Sequence, residues 1–338
     1  MPPGPTWPRS GACFIWRTEK DSPKGGRTIR NLIRIGTRGS QLALTQTNAV
    51  AAEIRERHPA LAVEVQVIRT KGDIMQDVSL AKIGGKGLFV KEIEDALVRG
   101  EIDLAVHSMK DVPVELPAGL AIGVVTRRED PRDVLVSRDR LKLEALPKGA
   151  RLGTGSLRRG FQLRSVLPDV EIVPLRGNLD TRIRKVGTEG LDGVIVAAAG
   201  IRRMGWVERV SQFIPVEILL PAIGQGVLGI EHRADDPELL EALTFLHHRE
   251  TALAVTAERA FLADLGGGCQ LPIAAYARLQ GRELVLEGLV GSLDGRAMIR
   301  DEVRGEATDG AALGRRLAGT ILDRGGRAIL DAVYACGD

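Results

Sequence analysis

The chain is poor in aromatic residues and in cysteine, and each shortage removes a class of function. Phe, Trp and Tyr make up 3% of 338 residues, which leaves few ring faces on which nucleic-acid bases could stack. The three cysteines, Cys13, Cys269 and Cys336, are widely separated and odd in number. With no Cys-x-x-Cys pair they match neither a disulfide framework nor a zinc site, so no metal is expected and a reducing cytoplasm is the simplest home. No long apolar run is available to span a membrane. A net charge of +3 supplies no global field toward nucleic acid or lipid. What remains, 44% hydrophobic and 27% charged, is the composition of a soluble globular protein, long enough for two or three domains.

Lysine is scarce as well: 37 of the 47 basic residues are arginine. Arginine is favoured where carboxylates or phosphates are gripped in bidentate fashion. Genomic base composition can also raise arginine everywhere, so position has to decide. Residues 1–30 lack the apolar core of a signal peptide, and Glu19 and Asp21 are unlike a transit peptide. They are expected to be a disordered extension or an over-long start.

From residue 31 the pattern alternates between strand and helix. Leu32–Thr37 reads as a strand, Ser40 as the cap of a helix running to about His58, and Val63, Val65 and Val67 as a second strand. Residues 71–87, rich in glycine and carrying Lys71, Lys82 and Lys86, read as a mobile loop. Phe89, Ile93 and Leu97 at helical spacing follow, then a short strand Ile102–Val106 ending in His107-Ser108-Met109-Lys110-Asp111. A similar cycle restarts at Arg151: Gly153-Thr154-Gly155-Ser156, a helix Leu157–Leu167, a strand Val170–Leu175, a helix Leu179–Val186 and a buried strand Val194–Ala199. The periodicity thus gives two α/β units, roughly 31–126 and 127–226. A helix over Glu250–Leu265, three strands near 272–279, 283–290 and 297–304, and helices near 309–323 and 327–335 make a small α+β unit.

Among the motifs, Gly224-Gln225-Gly226-Val227-Leu228-Gly229 has the letters of a dinucleotide fingerprint but not its setting, since no strand precedes it and no helix follows. Gly85-Lys86 fails as a phosphate loop. Gly153-Thr154-Gly155-Ser156-Leu157-Arg158-Arg159 is more telling, because a strand, a small polar turn and a helix start present backbone N–H groups and hydroxyls to an anion. Two arginines in that first turn oppose the helix dipole, which points to an outside ligand. Thr154 or Ser156 as a plain cap is the alternative for the hydroxyls. Arg38, Arg176, Arg182 and Arg203 repeat the theme near strand ends, where open α/β sheets bind ligands. Singly each could be a solvated charge; their repetition implies a ligand with several carboxylates or phosphates.

Asp111 could pair with Lys110 or could stabilise a developing cation on a substrate. His107 fits a structural hydrogen bond as well as it fits catalysis. Cys269 follows Gly266-Gly267-Gly268 on a loop, a setting that suits a thiol reached by a partner, although a small hydrophobe filling a gap reads the same way.

Taken together, these stretches resemble the porphobilinogen deaminase (hydroxymethylbilane synthase) family of tetrapyrrole and haem biosynthesis. The resemblance runs from about Arg34 to Tyr334. It is carried by Arg38-Gly39-Ser40, Lys82-Ile83-Gly84-Gly85-Lys86-Gly87-Leu88-Phe89, Ala105-Val106-His107-Ser108-Met109-Lys110-Asp111-Val112-Pro113, Ser156-Leu157-Arg158-Arg159, Leu175-Arg176-Gly177-Asn178, Pro221-Ala222-Ile223-Gly224-Gln225-Gly226 and Gly267-Gly268-Cys269-Gln270-Leu271-Pro272-Ile273. It implies two periplasmic-binding-protein-like α/β domains, 31–126 completed by 227–246 and then 127–226, plus a small C-terminal α+β domain, 247–338, carrying the cofactor cysteine. It implies a dipyrromethane cofactor held through a thioether at Cys269, and Asp111 as the catalytic carboxylate. Arg38, Ser40, Ser108, Lys110, Thr154, Ser156, Arg158, Arg159, Arg176, Arg182 and Arg203 would bind acetate and propionate groups, and Lys82, Lys86 and Phe89 would form a lid.

The implied reaction is a transferase reaction joining four porphobilinogen molecules head-to-tail into hydroxymethylbilane, with loss of ammonia. Its product would pass to uroporphyrinogen-III synthase, from a cytoplasmic monomer with no nucleic-acid or membrane partner. Two departures stand out, Gly155 where a hydroxyl residue is common and Gln41 where proline is common. The chemistry agrees with the match: losing ammonia leaves an electron-deficient azafulvene, whose charge a carboxylate can offset, and each added unit brings two carboxylates that need arginines. Two rival classes remain at this point. A non-catalytic anion clamp accounts for the arginines but not Cys269, and a nicotinamide oxidoreductase rests only on Gly224–Gly229.

Overall fold

The computed structural model describes residues 31–70, 90–267 and 271–335. Its strands are β1 (Leu32–Thr37), β2 (Ala62–Val67), β3 (Leu104–Ser108), β4 (Leu120–Val125), β5 (Asp133–Ser137), β6 (Arg151–Gly153), β7 (Glu171–Val173), β8 (Gly193–Ala197), β9 (Gln212–Ile214), β10 (Leu228–Arg233), β11 (Ile273–Gln280), β12 (Glu283–Gly291) and β13 (Met298–Glu306). The α-helices are α1 (Gln41–Arg57), α2 (Lys91–Val98), α3 (Leu157–Val166), α4 (Leu179–Thr188), α5 (Ala198–Arg203), α6 (Pro237–Leu243), α7 (Arg249–Asp264), α8 (Gly310–Ile321) and α9 (Arg327–Ala335).

Ten strands form two sheets of one design. The orders are β2-β1-β3-β10-β4 and β7-β6-β8-β5-β9. In each, the first three strands are parallel and the fourth runs antiparallel to both neighbours. The antiparallel strand of the first sheet, β10, comes after every strand of the second, so the chain crosses between lobes twice, through residues 126–132 and 215–227. Two lobes of this order joined by two crossovers are the periplasmic-binding-protein arrangement. The remaining strands form the sheet β11-β12-β13, antiparallel throughout, which α7 and α8 cover.

Local chemistry accounts for the main elements. Ser40 caps α1 by accepting from Ala43 N at 3.3 Å, and Arg55 and Arg57 in its last turn complement the helix dipole. Val50 and Ile54 from that helix pack on Ile33, Ile35, Leu104, Val106 and Ile230 of the first sheet. Val134, Val136, Val194 and Val196 form the matching layer of the second, against Ile183 and Val186 of α4. In the third unit Phe261, Leu313 and Leu317 lie over Leu284 and Leu286.

Several boundaries differ from the sequence reading. The strand expected at Ile102–Val106 is Leu104–Ser108, because pairing with β10 continues to Ser108↔Leu228. His107 and Ser108 therefore belong to the sheet. The apolar run expected as a strand to Ala199 ends at Ala197, and Ala198 begins α5. Strand Val170–Leu175 contracts to Glu171–Val173. Strands β4, β5 and β9 were not anticipated.

Candidate functional site

The carboxyl ends of the parallel strands converge on the face between the lobes. Arg38 and Ser40 follow β1, Lys110 and Asp111 follow β3, Thr154, Ser156, Arg158 and Arg159 follow β6, Arg176 follows β7, and Arg203 lies on α5 after β8. Open α/β sheets bind ligands in this position. Asp111 is exposed at the end of a single 3₁₀ turn, Met109–Asp111, whose Met109 N donates to Val227 O at 2.9 Å. Ser108 Oγ accepts from Gln46 Nε2 of α1 at 3.3 Å. Thr154 Oγ1 accepts from Ser156 N at 3.2 Å, and Ser156 Oγ caps α3 at 3.5 Å from Arg159 N.

Electrostatics show which charges share the cleft. Burial pushes the Lys110 amine down to about 8; the Asp111 and Asp133 charges oppose this, and Arg159 and Arg158 reinforce it. Burial likewise brings Arg182 down to about 10, helped by Arg159 and Arg176 and opposed by Asp111. Asp111 and Lys110 belong to the first lobe and the four arginines to the second, so charges of the two lobes lie close enough to act on one another. Arg203 stands apart: its Nη2 donates to Gly226 O at 2.8 Å, and its charge is felt by Glu129 on a crossover. Its guanidinium is pulled below its ordinary value by burial.

Arg158 and Arg159 have an internal counter-ion that sequence reasoning missed. Both are buried, and the fully buried Asp133 lies 2.8 Å from Arg158 Nη1 and 2.7 Å from Arg159 Nη2. Burial would push the Asp133 carboxyl up, but the two arginines hold it well below the usual carboxylate range. The arginine pair at the start of α3 is therefore compensated in part from within the protein. Two cations on one anion still leave a positive charge over.

The motif with fingerprint letters has a different use. Gly224 and Gly226 take φ values of +70° and +87° in the returning crossover, a region that favours glycine. A Cβ at Gly224 would lie 2.8 Å from Met109 Cβ and 3.3 Å from Lys110 N, so the absent side chain lets the crossover touch the turn that carries Asp111. Gln225, between them, donates to Pro131 O at 2.7 Å in the other crossover.

Helix α7 fastens the third unit to the same place. Glu258, fully buried, accepts from Arg128 Nη2 at 2.7 Å, Gly224 N at 2.7 Å and Ala277 N at 2.8 Å. Its neighbour Arg259 donates to Val112 O at 3.0 Å and Val114 O at 3.3 Å, just downstream of Asp111. Gly267 also approaches this segment: a Cβ on it would lie 3.0 Å from Val114 Cγ2. Cys269 and the lid candidates Lys82, Lys86 and Phe89 lie outside the described residues. His107 Nε2 is 2.9 Å from Glu231 Oε2 in the sheet interior, both side chains being buried, which marks it as a structural partner. Glu94 is raised to about 7 by burial and the nearby Glu231 charge.

A group carrying several carboxylates fits this cleft. Lys110 and Arg182 are pulled down by their burial and by neighbouring cations, and an anion placed among them would relieve both. Lys110 also gives a pH expectation. Without a bound anion its cation is lost as pH rises through about 8, so the rate at which the unloaded protein takes up its primer should fall above that pH. Lys110→Arg should move the limb beyond about pH 10, because guanidinium stays charged there; a pH–rate profile of both proteins checks this.

These features define a two-lobed α/β protein with charges of both lobes gathered at the face between them, and a third unit clamped to its crossovers. Comparison with known proteins makes the class specific. Residues 33–241 match the family model described as "Porphobilinogen deaminase, dipyromethane cofactor binding domain", and residues 252–323 match "Porphobilinogen deaminase, C-terminal domain". The porphobilinogen deaminase of Syntrophus aciditrophicus is 60% identical over 299 residues, which cover 88% of this chain and 98% of that protein. Those of Pelobacter propionicus and Geobacter sulfurreducens are 55% and 51% identical, over 89% and 90% of this chain and 97% and 95% of theirs. The chain belongs to the porphobilinogen deaminase family.

Proposed function

We propose that this chain condenses four porphobilinogen molecules into hydroxymethylbilane in the cleft between its two sheets, on a dipyrromethane primer attached through a thioether to Cys269. At each addition the aminomethyl C–N bond breaks, ammonia leaves, and a C–C bond forms at a pyrrole carbon that gives up its proton; water finally releases the product. The bound primer supplies the pyrrole to which the first substrate is joined. Asp111 is the catalytic carboxylate and lies where positive charge develops as ammonia departs. Lys110, Arg158, Arg159, Arg176 and Arg182 hold acetate and propionate groups, with Arg38, Ser40, Ser108, Thr154, Ser156 and Arg203 at the borders of the cleft. Lys82, Lys86 and Phe89 cover it.

The carrying observation is the shared electrostatics of Lys110–Asp111 on one lobe and Arg158, Arg159 and Arg182 on the other. A clamp that only bound anions has its counter-ion in the buried Asp133 and would not need a second, exposed acid amid those cations. The domains that follow are 31–126 with 227–246, 127–226 and 247–338, with 1–30 outside them. We place the protein in the cytoplasm as a monomer that delivers its product to uroporphyrinogen-III synthase. Cysteine usage supports that compartment, and among the described residues no helix is long and apolar enough to cross a membrane. The test is rapid quenching with porphobilinogen followed by intact-protein mass spectrometry. A ladder of covalent species, each one pyrrole unit heavier than the last, is expected. Product formation without any covalent species would reject the primer-based mechanism.

A further inference from the structure

Asp133 opens β5, and its two oxygens serve three side chains from two parts of the chain, the first turn of α3 and the returning crossover. Oδ2 accepts from Arg158 Nη1 at 2.8 Å. Oδ1 accepts from Arg159 Nη2 at 2.7 Å and Nε at 3.0 Å, and from Gln225 Nε2 at 3.0 Å. Gln225 also donates to Pro131 O at 2.7 Å. Arg158 Nη1 reaches Leu220 O at 2.8 Å, and Gln162, one turn further along α3, accepts from Leu220 N at 2.8 Å and donates to Leu220 O at 3.2 Å. One buried carboxylate therefore links the first turn of α3 to residues of both crossovers.

We propose that Asp133 is a positioning residue for porphobilinogen binding. It fixes the orientation of Arg158 and Arg159 toward the ligand's carboxylates and, through Gln225, ties that orientation to the two segments joining the lobes. The inference rests on the function proposed above. Its physical basis is the charge balance: a fully buried Arg–Asp–Arg cluster folds because the acid offsets half its charge, yet keeps one positive charge for an incoming carboxylate. Were Asp133 only a structural counter-ion, a link to the crossovers would serve no purpose in binding. Because Gln225 is neutral, cutting that link leaves the charge balance intact.

The test compares Gln225→Leu and Asp133→Asn with the wild type. The mass of the covalent adduct, the melting temperature, and kcat and KM for porphobilinogen per adduct-bearing molecule are measured. Gln225→Leu should keep the adduct and hold kcat within about twofold while raising KM about tenfold, the pattern of lost ground-state binding. Asp133→Asn, where it folds, should raise KM further. A structural role alone lowers the melting temperature and the loaded fraction but leaves the KM of loaded molecules unchanged. A wild-type KM in Gln225→Leu therefore overturns the proposal, whether or not Asp133→Asn is soluble. Failure of the wild type itself to carry an adduct or turn over would instead sink the proposed function.

Discussion

Asp111→Asn should keep the fold and lower turnover by about 10²–10³-fold, the usual loss when one preorganised electrostatic contact to a transition state is removed. The side chain is exposed at the end of its 3₁₀ turn, so packing has little to lose. What disappears is the negative charge among Lys110 and the facing arginines. That loss has a second, independent signature. Asp111 opposes the downward pull on both Lys110 and Arg182, so its neutralisation should move the Lys110 limb of the pH profile of primer uptake below about pH 8. Hydroxymethylbilane production, a thermal melt and the pH profile read together check the prediction. A variant with wild-type rate and a lowered melting temperature would reduce Asp111 to a scaffold residue.

The parts of the site visible in the sequence are those whose chemistry shows over a short stretch. Ser156-Leu157-Arg158-Arg159 displays a cap and two cations in one helical turn, and Lys110-Asp111 a charge pair at a strand end. The division into two α/β units and one α+β unit was visible for a similar reason: Ser40 and Pro59 bracket α1, and β8 is a continuous apolar run. What stayed hidden depends on partners distant along the chain. Asp133 lies 25 and 26 residues before the two arginines that it compensates in part. Glu258 is separated by 130 residues from Arg128, and Arg259 by 147 from Val112. No local pattern marks such residues; an acid in a strand reads as a solvated edge until its partner is in place.

Gly224-Gln225-Gly226 shows the converse, a visible motif whose letters mislead. Two glycines with positive φ around a side chain that bonds the opposite crossover share their spacing with a phosphate-binding turn but not its geometry. Short strands without alternation, such as the three residues of β9, carry too little signal to be assigned before their sheet is known. Arg158 and Arg159, set against the helix dipole, mislead for a related cause. The anion that compensates them in part is internal, and only the surplus charge is left for a ligand.

Cys269→Ser should abolish the adduct and reduce turnover to the assay background. Repeated condensation requires the growing chain to stay attached while each new unit enters one cleft, and a thioether provides that link. Serine keeps nearly the same shape but lacks the soft, ionisable nucleophile; a free thiol has a pKa near about 8.5 and reacts as thiolate, whereas an unactivated hydroxyl stays protonated and inert. The chain leading to this cysteine leaves α7 just after Glu258 and Arg259, which are bonded to the crossovers and to the segment beyond Asp111, and Gly267 lies against Val114. An anchor beginning there starts beside the proposed catalytic turn. The substitution should also lower the melting temperature, through the cleft rather than through the side chain itself: without a bound polycarboxylate, Lys110 and Arg182 remain crowded by like charge, and the stabilisation that a bound anion gives the folded state is lost. Intact-protein mass spectrometry should find the wild type heavier than its sequence by two linked pyrrole units and the variant at its sequence mass. Added small carboxylates should raise the melting temperature of the variant more than that of the wild type, because only the variant lacks the primer's carboxylates beside Lys110 and Arg182. An unmodified yet active wild-type protein, or a serine variant that retains the adduct, would remove Cys269 from the mechanism.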